Sequence, residues 1–317
     1  MLNFVHIPKT AGTSFRLGAE QVFDRKRIAY DYNHKSKETS DAVEQHIYGD
    51  IKDPWQLFQD LKQQQVAMIA GHVRADKYTP LCGVNNAITF VREPLQRLAS
   101  EYHHFVRHHG FKGGFDEFYN LPRMQDRMHK MLAGVPLEAF GLVGVTERYS
   151  DSLALIHKRF SVQIPDREDN LGNERVGNPH DIPKEQRDIL INLNKKDIAL
   201  FRKADRLLEE RLKLFKAGKP WVHGQVTHSK KNKISGWAWY EASDEPVKLS
   251  LSVGGDYVGE ASATMFWPSL ARYAPPRGSF VGFEFAGSFN ADAPIECVVE
   301  DTGQVLTGLG KVRLPKT

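Results

Sequence analysis

The sequence predicts an α/β chain, a parallel sheet flanked by helices, followed by an all-β sandwich. Three observations predict it. From Leu2 to Lys216 short apolar runs alternate with helical stretches. Several of those runs end in turns that carry small, basic or imidazole side chains. After Ala217-Gly218-Lys219-Pro220 the pattern changes to short alternating segments separated by Gly, Pro, Asn and Asp. The expected domains are 1–218 and 219–317. A length of 317 residues fits one or two domains, and 41% hydrophobic with 26% charged residues fits a globular chain. A formal charge of only +4 does not point to nucleic acid, although a local basic cleft fits within it.

The first element is the most informative. Leu2 to Ile7 reads as a buried strand, and Pro8 breaks it. Lys9-Thr10-Ala11-Gly12-Thr13-Ser14 forms a small-residue turn, and a helix follows from about Ser14 to Gln21. A strand, a tight turn and a helix N-terminus lay backbone N–H groups around an anion. Lys9 adds a cation, and the hydroxyls add donors. The segment is not a Walker A loop, because its Lys precedes the turn and it holds one Gly. The competing expectation is an ordinary turn capped by Thr13 or Ser14.

Two further runs end in chemistry-bearing residues. Val66 to Ala70 leads into Gly71-His72-Val73-Arg74. A neutral imidazole beyond a strand end can accept a hydroxyl proton near neutral pH. Ala87 to Val91 leads into Arg92-Glu93-Pro94 and a helix to about Val106. Pro94 suits the first helical turn. Ser100 falls about two turns into that helix. Arg92 sits at the strand end, where by itself it reads as an ion pair with Glu93 or Glu101.

The remaining segments place the rest of the first domain. Asp24 to Asp50 is polar with little periodicity, and reads as a loop beside the site or a surface insertion. Leu121 to Gly134 reads as one helix, Phe140 to Val145 as a fourth strand, and Ser150 to Phe160 as a helix. Ile182 to Lys216 reads as one or two amphipathic helices covering the sheet. His103-His104 and His108-His109 lie in a basic run without the companion ligands of a tight zinc site, so no metal is expected.

HIPKTAGTSF followed by VREPLQRLASEY resembles the sulfotransferases that use 3′-phosphoadenosine 5′-phosphosulfate (PAPS). Within them the chain looks most like carbohydrate O-sulfotransferases of the heparan and uronyl 2-O type and their bacterial relatives. Matching motifs run from Phe4 to about Glu147. The resemblance implies a P-loop-like sheet and a P-loop for the 5′-phosphosulfate formed by Lys9, Thr10, Ala11, Gly12, Thr13 and Ser14. It implies that Arg92 and Ser100 grip the 3′-phosphate, with Arg175 as a second contact. It implies His72 as the catalytic base and Lys9 as the cation on the bridging oxygen. The 2-O enzymes carry a second His two residues earlier, where this chain has Ala70. Gln125 and Arg127 resemble cleft-facing positions, and Glu147 either organises the site or pairs with an arginine. The implied acceptor is a carbohydrate or another hydroxyl-bearing molecule.

In the second domain, Lys233 to Tyr240, Val247 to Val253, Ser279 to Phe285 and Ile295 to Glu300 alternate with period two. That pattern predicts a sandwich of about seven strands. Gly254-Gly255 marks a hairpin turn. Trp237, Trp239 and Trp267 read either as a glycan platform or as core, and the size of the rings favours core. Cys82 and Cys297 lie in different expected domains, which argues against a disulfide framework. No run reaches membrane-spanning length, and the first strand begins at Leu2, so a cytoplasmic protein of bacterial type is expected. Two other functions compete: an ATP-dependent P-loop kinase, and a non-catalytic glycan-binding protein on the same fold.

Overall fold

A computed structural model of the chain describes residues 1–166, 180, 182–230, 232–290, 293–306 and 308. Elements run in chain order as β1 (Leu2–Val5), α1 (Gly12–Phe23), β2 (Ile28–Asp31), α2 (Asp41–Val43), α3 (Pro54–Gln63), β3 (Met68–Gly71), α4 (Ala75–Cys82) and β4 (Ala87–Val91). Then come α5 (Pro94–His108), α6 (Phe115–Tyr119), α7 (Arg127–Leu132), β5 (Leu142–Val145), α8 (Tyr149–Phe160), α9 (Lys184–Leu193) and α10 (Lys195–Lys216). The chain divides into two compact units. The first comprises 1–82, 86–137 and 142–209. The second comprises Gly83–Asn85, Glu138–Gly141 and the chain from Glu210 on, so the division falls inside α10.

The first unit is built on a five-stranded parallel sheet in the order β2-β3-β1-β4-β5. β3, β4 and β5 read as largely apolar runs because both faces are covered. All residues of β2, β3, β4 and β5 are buried. Thr89, inside β4, satisfies its hydroxyl on the Val5 carbonyl at 2.8 Å. The connection after β1 leads to one side of the sheet and the connection after β4 leads to the other. Neighbouring strands whose connections diverge open a crevice beyond their carboxyl ends. That crevice lies between β1 and β4.

Two expectations change here. The segment 24–50 is not all loop, since Ile28–Asp31 is a strand paired to β3 along its whole length. Four residues are too few to alternate visibly, and pairing with β3 selects them. The expected helix 121–134 shortens to α7. Asp126 takes a left-handed conformation, φ 47°, and its carboxylate accepts the N–H groups of Lys196 and Asp197 at 3.0 and 3.1 Å. That anchor turns the chain before α7 starts.

The second unit carries β6 (Val222–Lys230), β7 (Lys233–Tyr240), β8 (Lys248–Val253), β9 (Asp256–Ser262), β10 (Met265–Phe266), α11 (Pro268–Ala271), β11 (Phe280–Ala286) and β12 (Ile295–Val299). The strands form two antiparallel sheets, β10-β11-β7-β6 and β12-β8-β9. One apolar core draws on both, including Ile234 and Phe283 from the first and Leu249, Leu251 and Val299 from the second. The β8–β9 hairpin turns at Gly254 and Gly255, whose φ values of 67° and 100° suit glycine. Trp237 and Trp239 stack at 4.7 Å and are 1% and 0% exposed, so neither is a surface platform.

Candidate active site

The loop after β1 has an unusual backbone. Lys9 and Ala11 both have positive φ, 67° and 61°. Each such non-glycine residue costs about 1–3 kcal/mol, a strain that persists only where the surroundings impose it. Ala11 is the N-cap of α1, has no side-chain cap, and is followed by helical residues. A left-handed residue leading into right-handed ones gathers successive N–H groups into one concavity. Thr13 and Ser14 lie inside the first turn, so neither caps the helix. Thr10 is buried and donates its hydroxyl to the Ile7 carbonyl at 2.9 Å, which closes the loop.

Gly12 opens α1 for a steric reason. A Cβ there would stand 2.0 Å from Cδ2 and 2.3 Å from Nε2 of His6. The helix therefore starts in contact with an imidazole. His6 is itself 6% exposed, and its Nδ1 pairs with the Tyr32 hydroxyl at 2.9 Å. Burial holds its pKa well below the ordinary histidine value, and His72 and Arg16 push it the same way.

His72 lies just past β3, between the ends of β1 and β2. Its Nδ1 is 2.6 Å from the His6 carbonyl oxygen. A carbonyl only accepts, so Nδ1 carries the proton and Nε2 keeps its lone pair. Burial lowers the His72 pKa, and nearby Arg127 adds to this. The imidazole is thus neutral and basic at Nε2 near pH 7. The rings of His6 and Tyr32 flank it, with centroids 4.3 and 4.8 Å away. A second imidazole does stand beside His72, supplied by the end of β1 and not by position 70.

Arg92 follows β4 and donates from Nη1 to the Lys9 carbonyl at 3.3 Å, joining the two loops across the crevice. The turn that carries Arg92 is pinned by Glu147, whose carboxylate accepts the Glu93 N–H at 2.8 Å. The Glu93 side chain in turn caps α5 through the Gln96 N–H at 2.7 Å. Burial raises the Glu147 pKa against that hydrogen bond and the nearby Arg92 charge. Ser100 lies farther along α5 and is 2% exposed. On the same helix Arg97 is ion-paired with buried Glu101, which also holds Arg127 at 3.3 Å. The Gln125 amide donates to the Tyr119 and Asn120 carbonyls at 3.2 and 3.4 Å.

His104, on α5, has its pKa pushed down to about 4 by burial first and then by the Lys9 charge. Lys9 therefore has imidazole and guanidinium groups around it. Arg175 lies outside the described residues. Among the described residues no group of three His, Cys, Asp or Glu side chains is placed to hold a metal. Among them no helix is long and apolar enough to cross a membrane.

The chain is similar to a solved structure described as a sulfotransferase from Alicyclobacillus acidocaldarius, at 15% identity, over 65% of this chain and 95% of that one, with a TM-score of 0.33. No family model and no curated protein matches the chain.

The sequence motifs point to Lys9, its loop, His72 and Arg92, and the structure brings these to the ends of β1, β3 and β4. His6 and Tyr32, which flank His72, carry no such motif. The available signal was position alone, since His6 directly precedes the Ile7-Pro8-Lys9 break.

Proposed function

We propose that this chain is a PAPS-dependent sulfotransferase that acts on a hydroxyl of a carbohydrate acceptor. One observation carries the reading. The crevice between β1 and β4 combines an uncapped helix N-terminus, Lys9 and Arg92, and a neutral histidine with a free Nε2 lies at the next strand end. Anion ligands on one side and a base on the other are what transfer of a charged group to a hydroxyl requires.

PAPS supplies an activated sulfuryl group on a phosphate leaving group. Lys9 and the N–H groups of Ala11, Gly12, Thr13 and Ser14 hold the 5′-phosphosulfate and stabilise charge that builds on the bridging oxygen. Arg92, with Ser100, binds the 3′-phosphate through planar, charge-assisted contacts. His72 Nε2 takes the acceptor proton. The sulfur–oxygen bond to the acceptor forms as the bond to the bridging oxygen breaks, and adenosine 3′,5′-bisphosphate leaves. The carbohydrate acceptor rests on the resemblance of the two motifs.

Calorimetry tests this reading. Adenosine 3′,5′-bisphosphate is expected to bind without magnesium, more tightly than AMP or ATP. Arg92→Ala is expected to weaken it by about 10-fold to 100-fold, the loss of a charge-assisted contact of roughly 1.5–3 kcal/mol. His72→Ala is expected to keep that binding and lose sulfuryl transfer. Equal or tighter ATP binding would replace the proposal with the kinase reading.

A further inference from the structure

Asp31 ends β2, is 0% exposed, and has no part in the chemistry above. Three side-chain donors converge on its carboxylate, beside the Asn33 backbone N–H at 3.4 Å. They are Lys77 Nζ at 2.6 Å, the Tyr78 hydroxyl at 2.5 Å and the Tyr48 hydroxyl at 2.8 Å. Lys77 also donates to the Tyr48 oxygen at 3.1 Å. Burial by itself would raise the Asp31 pKa, but these hydrogen bonds outweigh it and hold the pKa below the ordinary value.

The main chain of Asp31 does something different. Its carbonyl accepts the backbone N–H of His72 at 3.1 Å. The fit behind it is tight, since a Cβ on Gly71 would stand 2.1 Å from that same oxygen. β3 lies between β2 and β1. His72 is therefore held from both flanking strands, at its backbone by Asp31 and at Nδ1 by the His6 carbonyl. Lys77 and Tyr78 belong to α4, the helix that starts three residues after His72. Asp31 thus grips both sides of one turn, His72 with its carbonyl and α4 with its carboxylate.

We propose that Asp31 is a positioning residue for His72, acting through this clamp. The proposal rests on His72 being the base. A carboxylate that merely tied β2 to α4 would add stability without affecting which imidazole nitrogen carries the proton. The clamp instead keeps His72 where Nδ1 meets the His6 carbonyl, and so keeps Nε2 free of its proton.

The test uses the full chain and two variants, Asp31→Asn and Tyr48→Phe. Asp31→Asn keeps the shape and removes the charge. Tyr48→Phe removes one donor at a half-buried site. Nitrogen-15 NMR of the histidines reads the His72 tautomer directly, with no acceptor needed. The wild type is expected to hold the Nδ1–H form. In Asp31→Asn the two tautomers mix, kcat falls by about 10-fold to 100-fold, and binding of adenosine 3′,5′-bisphosphate stays within about twofold of wild type. Tyr48→Phe shifts the same readouts less far. An unchanged tautomer in the folded variants overturns the proposal, as does a parallel loss of kcat and bisphosphate binding. If Asp31→Asn does not fold, Tyr48→Phe decides by the same readouts. A wild type that binds no bisphosphate defeats the sulfotransferase reading, while the NMR result still decides the clamp.

Discussion

Burial keeps His6 and His72 neutral, and this links stability to pH. The folded-state pKa of His6 lies well below the ordinary value of 6.5 that the unfolded chain approaches. As pH falls below that value the unfolded state takes up the proton first. The stabilising contribution of neutral His6 is complete above 6.5 and declines as the pH drops toward its folded pKa. One such group contributes a slope of about 1.4 kcal/mol per pH unit. Urea denaturation between pH 7 and pH 5 should show falling stability in the wild type, and His6→Gln should flatten the slope by roughly one proton. Parallel slopes in the two proteins would show that His6 is not the group responsible. The imidazole pair was only half legible beforehand. His72 follows a visible strand and a glycine, whereas His6 gains its meaning from a helix start and a tyrosine distant in sequence.

Among the elements, α1 shows most clearly how local sequence and packing combine. Pro8 and the small residues predict the turn, but the reason for Gly12 is the His6 ring. Gly12→Ala places a methyl group on that ring, and either the helix start or the imidazole must move. Overpacking of this kind costs about 1–3 kcal/mol. A lower denaturation midpoint together with weaker bisphosphate binding is the expected result. Unchanged binding would separate the His6 contact from the anion site. β2 was illegible for the opposite reason. Its four residues sit among charged neighbours and carry no pattern of their own, so its identity as a strand comes from β3. α5 was readable at its start because Pro94 and Glu93 mark it locally, and its buried Arg97–Glu101 pair was not.

The whole molecule divides differently from a simple cut at the composition change. Gly83–Asn85 and Glu138–Gly141, which lead into β4 and β5, belong to the second unit. Within that unit the Trp239 indole donates to the Asn85 side chain at 2.8 Å, and the Val84 N–H donates to the Tyr273 carbonyl, also at 2.8 Å. Buried His223 stacks on Trp239 with centroids 5.6 Å apart. Trp239→Phe keeps an aromatic ring but removes part of the buried indole volume, and leaves the Asn85 oxygen without this donor. A loss of about 1–3 kcal/mol is expected, read by thermal or urea denaturation of the full chain. A change of less than a few tenths would show that water replaces the indole at no cost.

Local signals alone decided the α/β pattern, the small-residue loop after β1, the ends of β3 and β4, and the change to alternating strands after Lys219. Each depends on neighbours within a few residues: apolar runs, a Pro or Gly break, a helix start. Tertiary structure alone decided that Asp31 belongs to a strand, that His6 and Tyr32 flank His72, and that Trp237 and Trp239 are core. It also decided which nitrogen of His72 carries its proton, because the carbonyl that selects it belongs to His6, just past β1 and 66 residues earlier in the chain. Partners so far apart in sequence meet only once the sheet has set its strand order, and no local pattern encodes that order.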